Sequence, residues 1–188
     1  ERCLAVEAPP DRQVYLAEDF DGEMPPPDAM LSPRHMRRVS PGLYLPFTVS
    51  ASQAVFKLAP GLMQYPVRQD MLRLALAVPA FRSIQEKYGD LIYWQFASLE
   101  NGVHCSYPGH GGFPLDYDPR IRRWYVRAKA AGQLVWTLPY TDAASRRPVI
   151  TLSMPIYRPD GALAGVTGVD ITVADLLDQL SPSEPLPV

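Results

Sequence analysis

DYDPRIRRWY, residues 116–125, has the chemistry of a helix start. The side-chain oxygen of Asp118 can accept a hydrogen bond from the first turn, as an N-cap does. Pro119 suits the first helical position, because the N–H that proline lacks would have no partner there. The stretch therefore predicts a helix that opens near Asp118, and the aromatic and basic residues that follow lie on its first turns.

Two interpretations of this helix are open on the residues alone. In the first, Arg122 lies beside the rings of Trp124 and Tyr125, and a guanidinium fork next to aromatic walls is suited to holding a carboxylate. In the second, the helix is only structural: Ile121 and Trp124 are buried in the core, and the arginines lie in solvent. Most amphipathic helices are of the second kind.

The wider sequence resembles the Cache family of PAS-like sensor modules, the extracytoplasmic ligand-binding domains of bacterial receptors. The similarity extends over about residues 62 to 180, and its ordered blocks keep the spacing of that family. These blocks are 118–125 (DPRIRRWY), 136–142 (WTLPYTD), 149–157 (VITLSMPIY), Asp160-Gly161 and 165–171 (GVTGVDI).

The resemblance implies an α/β fold, a PAS-like Cache module with a central five-stranded antiparallel sheet flanked by helices. We predict an irregular, proline-rich N-terminal extension over residues 1–60, the sensor module over 61–180 and a C-terminal linker over 181–188. Prolines remove backbone donors, so long regular elements are not expected before residue 60. Short strands are expected there at 13–16 and 43–50.

Helices and strands of the module follow from its periodicity. An apolar stripe between residues 63 and 88 predicts a helix, which Pro79 divides into two, and Gly89 is expected to end the second as a left-handed cap. Gly132 is expected to end the helix of the 116–125 stretch. The predicted strands are 91–97, 103–107, 133–138, 149–157 and 162–171. Thr172 and Asp175 predict a capped terminal helix that runs to Leu180.

Strand alternation predicts which residues face the ligand pocket. Trp94 and Phe96 are expected on one face of the first strand, with Tyr93 and Gln95 on the other, and one of the two faces is expected to border the pocket. The glycine-rich loop 108–114 is expected to arch flexibly over it.

In the branch of the family that binds free amino acids, a set of aromatic and charged residues surrounds one pocket. The resemblance implies that Arg122 and tyrosine hydroxyls bind the α-carboxylate of an amino-acid-like ligand, while Asp170, helped by Asp142, binds its ammonium group. Opposite charges held apart in this way suit a zwitterion. The full implied set is Tyr117, Arg122, Trp124, Tyr125, Tyr140, Asp142 and Asp170.

Structural alternatives remain for these residues. Asp142 can form an Asx turn, and Asp170 can cap the terminal helix in competition with Thr172. Tyr117 and Tyr140 can be ordinary aromatics at a rim. The family's usual proline before the tryptophan is Arg123 here, and Arg120, Arg122 and Arg123 together would favour a dicarboxylate or another anion.

Composition narrows the classes of partner. The chain has 188 residues, 47% hydrophobic content and a formal net charge of -2 with a pI near 5.9, so it offers no basic patch for nucleic acid. No cofactor or metal site is expected, because His35, His104 and His110 are scattered and no calcium-loop pattern is present. Cys3 and Cys105 either form one disulfide or stay free.

The expected function is that of a periplasmic sensor domain, not an enzyme, in a bacterial signalling protein anchored to the inner membrane by helices outside this chain. Its partner is a small-molecule ligand, and a homodimer is compatible with the sequence. A structural or dimerisation module with a degenerate pocket is the alternative, and pairing of Arg122 with Asp170 that leaves no cavity would favour it. A serine hydrolase using His110 is a further alternative, but its GxSxG nucleophile motif is absent.

Overall fold

The computed structural model describes residues 14–22 and 25–180. Within these ranges the chain forms an α/β fold with two sheets. The strands are β1 (Tyr15–Leu16), β2 (Met30–Ser40), β3 (Leu43–Ser50), β4 (Val55–Leu58), β5 (Ile92–Leu99), β6 (Val103–Tyr107), β7 (Gly109–His110), β8 (Val135–Trp136), β9 (Tyr140–Thr141), β10 (Pro148–Tyr157) and β11 (Leu163–Thr172). The α-helices are α1 (Ala17–Asp21), α2 (Gln64–Ala75), α3 (Val78–Tyr88), α4 (Arg123–Ala131) and α5 (Val173–Leu180).

The large sheet has the strand order β1-β4-β6-β5-β11-β10-β8, and β9 also pairs with β10. The five strands predicted from the sequence form its contiguous antiparallel block from β6 to β8. This confirms the PAS-like sheet. Two strands from the N-terminal region extend it, β4 antiparallel to β6 and β1 parallel to β4.

Helices α2 and α3 cover one face of this sheet, which we call the back face. Met71 and Phe81 from these helices pack with Phe56 and Cys105 from the strands in one buried apolar cluster. The predicted division at Pro79 is confirmed, since this proline lies in the first turn of α3, where its missing N–H costs nothing. The predicted left-handed cap at Gly89 is wrong, because this residue keeps a right-handed helical backbone with φ of -59°.

The N-terminal region is more regular than the sequence predicted. β2 and β3 form a hairpin of 11 and 8 residues, which joins β7 in a second, three-stranded sheet. Proline is accommodated because the pairing is interrupted between Leu31 and Met36, and Pro33 lies in that bulge. The expectation of an irregular segment is therefore wrong for residues 30–50, while the strand predicted at 43–50 is confirmed.

The 116–125 stretch forms two helical pieces instead of one helix. Asp118 caps a 3-10 turn over Pro119–Ile121 by accepting a hydrogen bond from the backbone N–H of Arg120 at 2.9 Å. Arg122 then has an extended backbone, with ψ of 147°, and α4 begins at the next residue. The predicted stop at Gly132 is confirmed, with a left-handed φ of 66°.

The C-terminal helix α5 begins where the capping pattern predicted. The Thr172 hydroxyl accepts a hydrogen bond from the backbone N–H of Asp175 at 3.0 Å. Within residues 14–22 and 25–180, no helix combines the length and the apolar character needed to cross a bilayer. Cys3 and the predicted linker 181–188 lie outside the described residues. Cys105 is free and buried, and burial raises the pKa of its thiol to about 12.

Candidate ligand-binding site

A small cavity lies on the face of the sheet opposite α2 and α3, which we call the front face. Its floor is formed by β5, β6 and β11, and its walls by residues 113–124 and 140–144. The volume is about 20 Å³, which is room for about one water molecule. The lining residues are Trp94, Phe96, His104, Ser106, His110, Phe113, Tyr117, Arg122, Trp124, Tyr140, Asp142, Ala143, Ala144 and Asp170.

Six of the seven residues implied by the sequence border this cavity, and Tyr125 does not. The Tyr125 side chain is buried elsewhere, and its hydroxyl donates a hydrogen bond of 2.7 Å to Glu100. Lys129 binds the same carboxylate at 3.0 Å. Trp124 and Tyr125 are adjacent on a helix, so they point in different directions, and only Trp124 is turned to the cavity. The cavity residues of the set are Tyr117, Arg122, Trp124, Tyr140, Asp142 and Asp170.

The cationic wall consists of Arg122, whose guanidinium carbon lies 5.7 Å from the centre of the Tyr117 ring. The extended backbone of Arg122, between the 3-10 turn and α4, places this residue at the junction of the two pieces. Arg120 is instead held by Asp118 through hydrogen bonds of 2.9 and 2.7 Å. Arg123 is exposed and lines an outer depression, not the inner cavity. Among the described residues, Arg122 is therefore the one arginine that borders the inner cavity.

Asp170, on β11, also borders the cavity. Its carboxylate accepts a hydrogen bond of 2.5 Å from the hydroxyl of Thr151, which lies directly opposite it on β10. Because the Thr151 hydroxyl donates to Asp170, the Tyr140 hydroxyl donates to Thr151, at 2.7 Å. Asp170 is 3% exposed, and burial, together with the nearby Asp142 carboxylate, raises its pKa well above the ordinary value. The site thus holds a carboxyl group that is poorly solvated when no counter-charge is present.

The structural alternatives for the two aspartates have different outcomes. One oxygen of Asp142 accepts hydrogen bonds from the backbone N–H and hydroxyl of Ser145, at 2.7 and 2.6 Å, so the predicted turn forms. Asp142 borders the cavity as well, and the two roles coexist. Asp170 does not cap α5, because Thr172 does so.

Four lining residues with polar side-chain atoms were not in the predicted set: Trp94, His104, Ser106 and His110. The register of the sheet explains the first three, because the alternation that brings Phe96 opposite Ser106 also turns Trp94 and His104 to the same face. His110 reaches the cavity through β7, which pairs with β3 and is buried. The expectation of a flexible loop at 108–114 is therefore wrong for this strand.

The contact between Ser106 and His110 resembles part of a hydrolase site, but its chemistry differs. The Ser106 hydroxyl lies 3.1 Å from Nε2 of His110, while Nδ1 of His110 donates to the backbone carbonyl of Gly111 at 2.7 Å. A carboxylate occupies that place in a catalytic triad. Burial lowers the pKa of His110 to about 4, which makes the imidazole a weak base near neutral pH.

Residues 14–22 and 25–180 contain neither an ion pair between Arg122 and Asp170 nor a metal-binding group. No ion pair joins Arg122 to Asp170, so the feature that would favour a degenerate pocket is not seen there. No group of three or more histidine, cysteine, aspartate or glutamate residues in these ranges is arranged to hold a metal ion.

Comparison with known proteins places this fold among bacterial chemoreceptors. Residues 79–178 match the family model described as methyl-accepting chemotaxis protein-like, first PDC sensor domain. The methyl-accepting chemotaxis protein McpA of Pseudomonas putida is 41% identical over 95 residues, which are 50% of this chain and 14% of the relative. PscA of Pseudomonas syringae pv. tomato, of the same class, is 38% identical over 86 residues, 46% of this chain and 13% of the relative.

A solved structure shares the architecture as well. The ligand-binding domain of the Pseudomonas fluorescens chemoreceptor CtaA, in complex with L-serine, matches with a TM-score of 0.50 and 25% identity over 58% of this chain and 48% of that one. The chain thus spans about half of that domain and a small part of the two chemotaxis proteins. Two of these relatives are chemotaxis proteins, and the third is the ligand-binding domain of a chemoreceptor.

Proposed function

Because the chain belongs to the family of first PDC sensor domains of methyl-accepting chemotaxis protein-like receptors, we propose that its inner cavity binds a free amino acid or a closely related zwitterion. One observation carries the proposal: Arg122 borders the cavity on one side, and Asp170 and Asp142 border it elsewhere without being paired to that arginine. Unpaired opposite charges around one buried space are complementary to a ligand that carries both charges.

The carboxylate of the ligand binds at the Arg122 wall. A guanidinium offers two parallel donors to a carboxylate, and the Tyr117 ring beside it limits the directions the arginine can take. The ligand-binding roles of Tyr117, Trp124 and Tyr140 are proposed on the same basis, since all three border the cavity. Tyr125 has no place in this proposal, because its hydroxyl binds Glu100.

The ammonium group of the ligand binds at Asp170. The chain of hydrogen bonds from Tyr140 through Thr151 to Asp170 holds one carboxylate oxygen in place. In the empty site burial raises the Asp170 pKa, and an ammonium group beside it lowers that pKa again. Binding therefore releases a proton wherever Asp170 is protonated in the empty site.

Ligand entry requires the site to open, because a cavity of about 20 Å³ is smaller than any amino acid. Arg122 and Tyr140 border both the inner cavity and the outer depression that also contains Arg123. We place the entrance between these two side chains. Separation of the 140–144 segment from the start of α4 would join the two spaces, and closure over the ligand would pass a conformational change to the rest of the domain.

The domain would act as the extracytoplasmic, periplasmic part of a membrane-anchored receptor, as in the chemotaxis proteins it resembles. We propose residues 61–180 as the sensor module, with a C-terminal linker after it, and a homodimer as the signalling unit. A chemoreceptor output is favoured by the relatives over a kinase, cyclase or phosphatase output. No cofactor or nucleic acid has a role in this proposal.

A thermal-shift screen of the unaltered protein against the twenty amino acids, small amines and dicarboxylates tests the proposal. A ligand at about 100 times its Kd adds about 2.7 kcal/mol to the free energy of unfolding, which gives a clear rise in Tm. Arg122→Ala should abolish the rise. Arg127→Ala, which removes an exposed arginine from α4, is the matched control and should retain it.

Three outcomes are informative here. A rise for some zwitterions that Arg122→Ala removes and Arg127→Ala retains supports amino-acid binding. Responses to amines alone or to dicarboxylates alone would contradict a zwitterionic ligand, but they would still support a ligand-binding sensor domain. Silence from every compound favours the structural or dimerisation module with a degenerate pocket.

A further inference from the structure

The inner end of the cavity contains polar groups that a zwitterion's two charges do not explain. Trp94, His104 and Ser106 lie on the central strands β5 and β6, and His110 lies on β7 next to them. All four side chains are at most 2% exposed. Burial of a hydrogen-bonding group costs free energy unless the group has a hydrogen-bond partner.

Trp94 has a donor without an acceptor. Its indole stacks on the ring of His35, with ring centres 4.6 Å apart, and on that of His110, at 3.8 Å, both nearly parallel to it. The Trp94 side chain also borders the cavity. Its Nε1–H is buried and has no hydrogen-bond partner among the described residues. A buried donor of this kind can be satisfied by an acceptor that arrives with the ligand.

The neighbouring histidine and serine supply an acceptor. Since Nδ1 of His110 donates to the Gly111 carbonyl, its Nε2 is unprotonated and accepts the hydrogen of Ser106. The Ser106 oxygen keeps its lone pairs for a ligand donor. His104 binds Ser98 through Nδ1 at 2.6 Å, which directs its other ring nitrogen away from that contact. His110 thus contacts both groups: Ser106 hydrogen-bonds to its ring, and the Trp94 indole, which carries the free donor, stacks on that ring.

None of these groups carries a charge near neutral pH. Burial lowers the pKa of His104 to about 3 and that of His110 to about 4. The charged groups that border the same cavity are Arg122, Asp142 and Asp170, which the main-chain charges of the ligand occupy in the proposed function. A charged ligand side chain would be desolvated here without a counter-charge.

We infer that Trp94, Ser106 and the two histidines form a side-chain subsite that selects amino acids with a short, uncharged side chain bearing a hydroxyl or carboxamide group. This inference rests on the proposed function, because it takes the ligand to be an amino acid. Short side chains are favoured, because the four side chains of the subsite are themselves buried within the domain. The Nε1–H of Trp94 binds the side-chain oxygen, and the Ser106 oxygen accepts the side-chain hydrogen.

Isothermal titration with two matched pairs of ligands tests the subsite. Threonine and valine have nearly the same shape and differ by a hydroxyl for a methyl group, while asparagine and aspartate differ by an amide for a carboxylate. We expect threonine to bind more tightly than valine by at least about tenfold, and asparagine more tightly than aspartate by a similar factor. Alanine, which lacks a polar side chain, is the reference for main-chain binding.

Variants locate the effect. Trp94→Phe keeps an aromatic ring and removes the donor, so the ratio of the valine Kd to the threonine Kd should fall to about one. Trp136→Phe, at a half-exposed position on β8 outside the cavity, should leave all affinities unchanged. The chain has three tryptophans, so its ¹⁵N spectrum has three indole signals, which these variants assign. Threonine, but not valine, should shift the Trp94 signal downfield.

Failure of this inference differs from failure of the proposed function. Equal Kd values within each pair, or an unshifted Trp94 signal with threonine bound, overturn the subsite and leave amino-acid binding intact. A tighter Kd for aspartate than for asparagine overturns it too, since that requires a cation in the subsite. If alanine and all four test ligands fail to bind, both proposals are wrong.

Discussion

The two faces of the central sheet bury their residues in different ways. On the back face, α2 and α3 cover a cluster of apolar side chains that includes Phe56, Met71 and Val103. On the front face, α4, the hairpin β2–β3 and the 140–144 segment cover Asp170 and three histidines together with aromatic rings. One sheet therefore has a face that stabilises the fold and a face that holds ionisable groups out of water.

This difference separates stability from function along the same strands. In β5 and β6 the residues alternate, so Cys105 points into the apolar back cluster while His104 and Ser106 point to the cavity. Burial of apolar groups on the back face contributes free energy that offsets the cost of desolvating polar groups on the front. Binding sites commonly carry such a cost, and a ligand that pairs the groups removes it.

The largest expected effect comes from acid, which acts on the front face. Burial lowers the pKa of His35 and His104 to about 3 and that of His110 to about 4, below the unfolded value of 6.5. Stability is then full above pH 6.5 and is lost as the pH falls, because only the unfolded chain takes up protons. From pH 7.5 to 5.5 the three groups lower the free energy of unfolding by about 4 kcal/mol.

Urea unfolding across this pH range measures the loss. The Asp170 carboxyl works in the opposite direction, since its raised pKa lets the folded state keep a proton that the unfolded state has released. The full effect should therefore appear in Asp170→Asn, and a smaller one in the unaltered protein. A free energy of unfolding that stays flat between pH 7.5 and 5.5 would show that the histidines are solvated.

The next effect in size concerns the back face. Met71 is fully buried among apolar neighbours, and Met71→Ala should lower the free energy of unfolding by about 3 kcal/mol, because it leaves a cavity. Met154→Ala, at a methionine that is 47% exposed on β10, is the matched control and should change it by less than about 0.5 kcal/mol.

Ligand affinity tests whether a change on the back face affects the cavity on the front face. Under conditions where Met71→Ala is still folded, its Kd for an amino acid should match that of the unaltered protein, since Met71 does not border the cavity. Equal losses from both methionine variants, or a large loss of affinity in Met71→Ala, would mean that the two faces are not separate in function.

The smallest expected effect is a gain of stability. Asp170→Asn removes a buried carboxyl while keeping an oxygen for the Thr151 hydroxyl, so the empty protein at neutral pH should be more stable and have a higher Tm. The same change should abolish the ligand-induced rise in Tm. Asp116→Asn, at an exposed position, should alter neither quantity. A lower Tm for the empty Asp170→Asn protein would contradict the view that the site stores a desolvation cost.

Alternation along β5 predicted the side-chain orientations of most of its residues, but not that of Tyr93. Alternation turned Trp94 and Phe96 to the cavity and Gln95 to the back, where its amide binds the Phe81 carbonyl. Tyr93 did not follow this rule, since the pairing of β5 with β11 shifts register next to it and Tyr93 joins the front cluster. A bulge of this kind depends on the partner strand and leaves no signal in the local sequence.

Local chemistry in the sequence by itself determined most helix and strand positions of the module. The Asp118 cap, the break at Pro79 and the stop at Gly132 each depend on contacts within a few residues, and all three formed, although Asp118 caps a 3-10 turn instead of the predicted helix. The family resemblance of the 116–125 stretch implied Arg122 as the ligand-binding cation, and Arg122 borders the cavity. These features are encoded in neighbouring residues, so a pattern in the sequence is enough to reveal them.

Only the tertiary structure decided which distant residues share the cavity. His110 lies against Trp94 because β7 pairs with β3. The hairpin that contains β3 was not predicted, because its region is rich in proline. The Tyr125 side chain lies outside the cavity, where its hydroxyl donates a hydrogen bond to Glu100, next to the end of β5. Such contacts join residues far apart in the chain through strand register and packing. Because the contacting residues are not neighbours in the sequence, no local sequence pattern predicts these contacts.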